Sequence, residues 1–582
     1  MEFETILRDA AAWRAADPDP ITVAELTALL AQPRDHEVEL RDRFGASLEF
    51  GTAGLRGVLG AGPNRMNRAV VRRTTAGLAR YLLAKVPEVK ERGVVVGRDG
   101  RRMSPEFADD AARVLAAHGI PALVFPTPVP TPLVAFATTH LRAAAAVMVT
   151  ASHNPPEYNG YKVYWGNGAQ IIPPHDRGIA AAIDAVEPAN QVHLASPDAV
   201  LVRPLGDEVG RAWVEAILAL RLHPSPCDLP IVYSAMHGVG GAWIERAFAE
   251  AGFSRLLPVA QQQQPDGAFP TVRFPNPEEP GAMDLCTALA ERERAPLVLA
   301  NDPDADRLAV MARGADGKLR ALTGNEVGVL LGHYLLTQTR PLPDKPLVIT
   351  TIVSSAQLSV IAADLGARYD ETLTGFKWIG NRALERLRDE GAHFLFGYEE
   401  ALGYTVGTVA RDKDGVGAAL VFADLAAWCD RRGVTVFDYL EEIQRRHGLF
   451  VADQRSFTFP GSEGAATIRG IMQGFRANPP ERIGELAVAA VNDYEAGESR
   501  RAGRVEKLAL PPSNVISYGL EGGSRITLRP SGTEPKIKYY FELRQPLAEG
   551  EPIAAARAKA KERLIRLEEE FVRQARERGQ PG

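Results

Sequence analysis

Ala145-Ala146-Val147-Met148-Val149-Thr150-Ala151-Ser152-His153-Asn154-Pro155-Pro156 is a short apolar run that stops at a polar turn closed by two prolines. Apolar residues without alternation read as a strand buried on both faces, and the prolines forbid sheet pairing and helix beyond it. Outward from it the same rhythm recurs: the spacing predicts strands over 93–96 and 122–125 and helices over 105–118 and 131–140. Strands alternating with helices define an α/β layer with a largely parallel sheet. Ser152 therefore stands at a strand's carboxyl end, where open α/β sheets bind ligands. A serine hydroxyl is a weak nucleophile that needs a base or a metal, and no G-x-S-x-G elbow surrounds this one. His153 is adjacent, but consecutive side chains rarely aim at one atom. The plainer alternative is that Ser152 and Asn154 cap a turn.

The pattern restarts twice. A strand over 231–234, a helix over 242–251 and a strand over 297–300 form one set; a strand over 347–351, a helix over 356–365 and a strand over 393–396 form the next. The last part combines strands over 525–529 and 536–543 with a charged helix over 553–576, an α+β arrangement. For 582 residues, at about 150 per domain, four domains are expected. Turn-like and Pro-rich joints set them at 1–204, 205–318, 319–450 and 451–582. At the start, residues 3–15 read as an amphipathic helix, and Thr22-x-x-Glu25 looks like a capping box. The glutamine run 261–264 reads as a surface loop.

Composition narrows the function. Apolar residues make 45% and charged residues 24%, which excludes a disordered chain, a collagen and a long coiled coil. Lys plus Arg is 67 against 73 Asp plus Glu, a net charge of -6 with no basic block, so nucleic acid is not an expected partner. Cys227, Cys286 and Cys429 are too few and too scattered for a disulfide framework or a zinc site, which fits a reducing compartment. No secretory signal opens the chain and no apolar stretch is long enough to span a bilayer. A cytoplasmic location and no membrane partner are expected.

Three further loops carry chemistry. Asn301-Asp302-Pro303-Asp304-Ala305-Asp306-Arg307 follows an apolar strand, and three carboxylates at i, i+2 and i+4 repel one another unless a cation lies between them. Hard oxygen ligands suit Mg²⁺. An EF-hand would need Gly and Glu where this loop has Arg307 and Arg313, and a merely solvated turn has no reason to put three acids at a strand's mouth. Phe396-Gly397-Tyr398-Glu399-Glu400-Ala401-Leu402-Gly403-Tyr404 sets carboxylates beside aromatics, a combination suited to sugar hydroxyls and ring faces, although an acidic loop is as often simply solvated. Thr374-Gly375-Phe376-Lys377-Trp378 is similar. Arg529-Pro530-Ser531-Gly532-Thr533-Glu534-Pro535-Lys536 offers an Arg, hydroxyls and a close-approaching glycine, a phosphate cradle or an ordinary hairpin turn. Together with the Ser152 loop these describe phosphoryl transfer on a phosphorylated polyol.

The motifs occur together, in order and along nearly the whole chain, from Phe50-Gly51-Thr52-Ala53-Gly54-Leu55-Arg56-Gly57 to Glu534-Pro535-Lys536-Ile537-Lys538-Tyr539-Tyr540. In this the chain resembles the α-D-phosphohexomutase superfamily, and Glu371-Thr372-Leu373-Thr374-Gly375-Phe376-Lys377-Trp378 points to its phosphoglucomutase and phosphopentomutase-like branch. The resemblance implies three similar α/β domains with mixed sheets plus a smaller C-terminal α+β domain around a central cleft. It implies that Ser152 is a phosphoserine whose phosphate completes a Mg²⁺ shell made by Asp302, Asp304 and Asp306. Arg56 and Lys162 would lie near the transferring group, Lys162 giving acid–base help if nearby cations depress its pKa. Arg307, Thr374, Lys377, Glu399 and position 401 would bind the sugar, and Arg529, Ser531, Gly532 and Thr533 the unreacting phosphate. Many hexose enzymes of the superfamily have Ser where this chain has Ala401.

The implied reaction interconverts glucose 1-phosphate and glucose 6-phosphate through a bisphosphate, with Mg²⁺ as cofactor and glucose 1,6-bisphosphate as activator, in a monomer whose partner is a small phosphosugar. The alternatives are a phosphopentomutase acting on ribose or deoxyribose phosphates and a glucose 1,6-bisphosphate synthase. Two rivals lie outside that scheme: a mutase or phosphatase using Asp302 as its nucleophile, and a phosphosugar-binding protein without turnover.

Overall fold

The computed structural model describes residues 2–51, 54–459, 461–531 and 536–579, those at 461–463 by their backbone only. They form two compact units, Met1–Gly324 with Phe376–Thr435, and Asn325–Gly375 with Val436–Gly582. No helix among the described residues is long and apolar enough to cross a membrane.

The first unit holds a six-stranded mixed sheet in the order Leu55–Val58, Tyr158–Trp165, Ala145–Val149, Val94–Arg98, Ala122–Val124, Val202–Pro204. The last four run parallel; Tyr158–Trp165 is antiparallel to Ala145–Val149 and to Leu55–Val58. Every residue of Ala145–Val149 is buried because helices cover both faces, which is why the run shows no alternation. Each fully buried Val there contributes about 1.5–3 kcal/mol. The strands Val94–Arg98 and Ala145–Val149 are neighbours, so the loops that follow them, 99–103 and 150–157, emerge side by side.

A five-stranded mixed sheet follows, ordered Leu319–Ala321, Ala309–Arg313, Leu297–Ala300, Ile231–Ser234, Leu256–Pro258. Leu297–Ala300 pairs antiparallel with Ala309–Arg313, so residues 301–308 are the connection between two adjacent strands. Farther along, the hairpin His393–Glu399 and Gly403–Val406 carries residues 400–402 at its tip. Two local expectations fail here. Helix Pro20–Ala31 is capped by Asp19, whose side chain accepts from Ile21 N, so Thr22 lies inside the first turn and makes no capping box. The glutamine run is not a surface loop: Gln262 and Gln263 are buried, and Gln262 accepts from Ser234 and donates to Thr271. A short polar run beside a strand end can be consumed by internal hydrogen bonds, which composition does not reveal.

The second unit contains the parallel pair Pro346–Thr351 and Arg368–Thr372, and an antiparallel sheet covered by helices Gly461–Ala477 and Ile553–Gly579. Phe475 and Phe571 stack with centroids 5.0 Å apart between those helices. Arg525 joins the two parts of this unit: its guanidinium bonds Glu371 at 3.0 Å and the Ser354 carbonyl, and lies 3.7 Å from Glu542. Glu542 is buried, and burial raises its pKa despite the arginine. Arg525→Ala removes the cation beside that buried carboxylate, which keeps only hydrogen bonds such as that from Ala356 N, and should cost about 3 kcal/mol of stability. Urea unfolding followed by circular dichroism measures the loss; a midpoint equal to the parent's would contradict it.

Candidate active site

Ser152 lies just beyond its strand with φ +54°, a left-handed conformation that costs a non-glycine residue about 1–2 kcal/mol. Its N–H donates to Thr150 Oγ1 at 2.9 Å, and its hydroxyl donates to Asp302 Oδ2 at 2.9 Å. The same Oγ is 3.2 Å from His153 Nδ1, so here two consecutive side chains do meet, because the left-handed turn folds one back over the other. Burial, then Arg307 and Arg56, holds the His153 pKa well below its ordinary value.

Asp302, Asp304 and Asp306 are buried and bring ligand oxygens within 4.8 Å of one another. Two features hold this costly cluster. The loop is braced: Arg307 N donates to Asp302 Oδ1, Thr131 donates to Asp304 by both N–H and hydroxyl, and Val239 N donates to the Pro303 carbonyl. It is also partly neutralised: Lys162 Nζ donates to Asp304 Oδ2 at 2.8 Å and Asp306 Oδ2 at 3.1 Å, and Lys413 Nζ is 3.3 Å from Asp306 Oδ2. Burial and Asp306 push the Asp304 carboxyl up, but Lys162 reverses this and its pKa is low; Lys162 and Lys413 likewise overcome burial at Asp306. Asp302 has no such lysine, and burial, Asp306 and Asp304 raise its pKa well above the usual range. Helix Gly415–Arg431 begins against this loop, and a Cβ at Gly415 would sit 2.3 Å from the Arg307 carbonyl oxygen, so only glycine fits.

The carboxylates divide their oxygens. Oδ2 of Asp304 and of Asp306 takes the ammonium groups, whereas Oδ1 of each is buried with no hydrogen-bond partner among the described residues. Unpartnered carboxylate oxygens beside a third aspartate and a serine hydroxyl are the donor set of a hard divalent cation, and the triad is suited to hold one.

The other expected residues fall as follows. Lys162, on Tyr158–Trp165, is buried; burial disfavours its charge, but Asp304 and Asp306 outweigh that and raise its pKa, opposite to the depression that acid–base help would need. Arg56 is exposed and donates to Asn154 Oδ1 at 3.1 Å, on the serine loop. Arg307 reaches the hairpin tip, Nη1 donating to the Ala401 carbonyl at 2.9 Å, while Glu399 lies directly opposite Gly403 across the hairpin. Lys377 opens helix Phe376–Glu390 with its ammonium 5.7 Å from the Trp378 ring centroid. Thr374, Arg529 and Ser531 belong to the second unit, and Thr374 Oγ1 is buried without a hydrogen-bond partner among the described residues. Gly532 and Thr533 lie outside the described residues.

Several residues escaped the sequence reading. Lys413 is seated by Asp412, which itself accepts from Tyr164 and Gln170. A lysine between two aspartates immediately before a long apolar helix was the available signal. Thr131 carried none. Lys538 stands opposite Arg529 on the adjacent antiparallel strand.

A serine hydroxyl bonded to a carboxylate cluster suited to a cation, both at strand carboxyl ends, is an arrangement compatible with phosphoryl transfer in an α/β enzyme. Comparison with known sequences places it. Residues 47–190, 211–315 and 323–446 match alpha/beta/alpha domains I, II and III of phosphoglucomutase/phosphomannomutase, and residues 481–560 match its C-terminal domain. A phosphopentomutase of Mus musculus is 38% identical over 572 residues, covering 94% of this chain and 91% of its own. A probable phosphomannomutase of Haemophilus influenzae is 42% identical over 483 residues, covering 82% and 93%. A glucose 1,6-bisphosphate synthase of Homo sapiens is 37% identical over 558 residues, covering 91% and 89%. The chain belongs to the phosphoglucomutase/phosphomannomutase family of the α-D-phosphohexomutase superfamily, with its four-domain architecture, and is a phosphomutase, an isomerase acting on small phosphosugars.

Proposed function

We propose that the chain interconverts the 1-phosphate and the terminal phosphate of a sugar through phospho-Ser152 and a sugar bisphosphate, with ribose or deoxyribose phosphates as its preferred substrates. The observation that carries the mechanism is the Ser152 Oγ to Asp302 Oδ2 bond at 2.9 Å, which seats the phosphoryl carrier on the acidic triad. Asp302, Asp304, Asp306 and phosphorylated Ser152 would hold Mg²⁺, which when bound neutralises charge on the transferring phosphoryl group. Lys162 and Lys413 supply fixed positive charge beside it, and Arg56 steadies the serine loop through Asn154. Arg307, Thr374, Lys377, Glu399 and the Ala401 turn bind the sugar, while Arg529, Ser531, Gly532 and Thr533 hold the phosphate that does not react. The domains divide at 204, 318 and 450. The enzyme works as a cytoplasmic monomer, with a matching bisphosphate as activator.

Pentose takes precedence over glucose for two reasons. A relative 38% identical across nearly all of both chains is named a phosphopentomutase. Position 401 is alanine, and a missing neutral hydrogen bond to a sugar hydroxyl costs about 0.5–1.5 kcal/mol. That corresponds to roughly tenfold in preference. The second reading, a glucose 1,6-bisphosphate synthase, has a relative of that name at 37% identity. A side-by-side Mg²⁺-dependent assay of ribose, deoxyribose, glucose and mannose 1-phosphates, with a trace of glucose 1,6-bisphosphate, decides among them. Ribose 1-phosphate should exceed glucose 1-phosphate by roughly tenfold in kcat/KM. An equal or reversed ratio restores glucose, and accumulation of free bisphosphate from a second phosphoryl donor indicates the synthase.

A further inference from the structure

Arg101 is only 2% exposed and takes no part in the site as described above. It follows strand Val94–Arg98, beside the strand that leads into Ser152. Its guanidinium fills the hollow of the serine loop. Nη2 donates to the carbonyl oxygens of Ser152 and Asn154, and Nη1 to those of Pro155 at 2.9 Å and Tyr158 at 3.2 Å. Asp99 provides the counter-charge at 3.2 Å and is itself held by the Ser104 hydroxyl at 2.8 Å. The Phe269 ring closes the other face, its centroid 4.9 Å from the guanidinium carbon. The segment carrying Phe269 packs tightly on the 99–103 loop that bears Arg101, since a Cβ on Gly267 would lie 2.9 Å from the Gly100 carbonyl oxygen.

A loop with two prolines and a left-handed serine cannot satisfy its carbonyls within regular structure, and a buried unpaired carbonyl is costly. One planar fork bonds four of them, that of Pro155 shared with Tyr158 N, so a single buried side chain ties the turn together from within. We propose that Arg101 is a positioning residue for phosphoryl transfer: by gripping the carbonyls of Ser152, Asn154, Pro155 and Tyr158 it fixes the left-handed Ser152 backbone that aims Oγ at Asp302. This rests on Ser152 being the phosphoryl carrier. Arg101 touches neither sugar nor phosphate in this role, so it governs the rate of transfer and leaves sugar affinity alone.

Arg101→Lys retains the charge beside Asp99 but replaces a rigid fork with a point donor. In the full-length enzyme kcat should fall about 100-fold while KM changes by less than about threefold. Single-turnover phosphorylation of Ser152 by glucose 1,6-bisphosphate, followed by mass spectrometry of the Ser152 peptide, should slow in parallel. Circular dichroism and the thermal midpoint establish that the variant is folded at the assay temperature. If Arg101 only stabilises the fold, the midpoint drops while kcat and the phosphorylation rate stay within about threefold of the parent, and the proposal is overturned. Should Arg101→Lys fail to fold, Phe269→Leu decides, because it removes the ring face and leaves every hydrogen bond. Phosphorylation slowed by about fivefold or more at unchanged KM supports the proposal, and a parental rate overturns it. Absence of any phosphate on Ser152 of the parent enzyme would overturn both this proposal and the phosphoserine reading, and it is seen before a variant is made.

Discussion

Ser152→Ala should lower turnover on the order of 10⁴-fold or more, because the variant lacks the hydroxyl that the proposed transfer phosphorylates and that now meets Asp302. The fold should survive: Arg101 holds this loop by backbone carbonyls, including that of residue 152, and alanine supplies the same carbonyl. The comparison is therefore between two folded proteins. A coupled assay measures the rate, and mass spectrometry of the 150–157 peptide reports phosphate in the parent and none in the variant. The outcome separates two chemistries. If the variant keeps its rate within about tenfold, the phosphoryl group travels on something other than Ser152, and Asp302, the one triad member without a lysine, becomes the nucleophile.

Asp302→Asn is the second large effect, and it should act in opposite directions on stability and on activity. Without metal, the Asp302 carboxyl is pushed well above its ordinary pKa by burial, Asp306 and Asp304, so its ionised form strains the folded state. A raised carboxyl pKa means the folded protein holds that proton more tightly than the unfolded one. Its contribution is thus present below the ordinary value of 3.8 and is lost as pH rises through the raised value. Near neutral pH the amide escapes that penalty, and in EDTA the variant should melt above the parent. Turnover should nonetheless fall on the order of 10³-fold, since one of three anionic oxygen donors is gone. Adding Mg²⁺ should raise the parent's melting temperature, by about 2.7 kcal/mol of stability at a hundredfold excess over Kd, and leave the variant's almost unchanged. Equal Mg²⁺ shifts in both proteins would remove Asp302 from the ligand set.

How legible this was depended on whether a residue's role was local. The strands Ala145–Val149 and Leu297–Ala300 were readable because burial on both faces leaves a continuous apolar run, and the loops after them were readable because prolines and clustered acids have no ordinary place at a strand's end. Thr131, Lys413 and Arg101 were not. Lys413 offered only its place between two aspartates, and each of the three gains its role only when folding places it against a loop far away in sequence, as Thr131 meets Asp304. That the condition for acid–base help from Lys162 is not met was hidden for a related reason. The sequence displays its cationic neighbours and the acids equally, and only distance reveals that Asp304 and Asp306 are the ones in contact. Thr22 and the glutamine run were misread because capping and burial turn on one residue of offset and on partners such as Ser234.

The bond from Arg307 to residue 401 ends on a main-chain oxygen. Whatever side chain stands at 401, that oxygen remains, so the acidic loop stays tied to the hairpin through any exchange there. On the proposed reading, in which position 401 contributes to the choice of sugar, the side chain there can change without releasing that tie. If 401 reads the sugar as proposed, substrate range and phosphoryl transfer can be altered separately, and selection for a new sugar would randomise 401 with 307 left untouched.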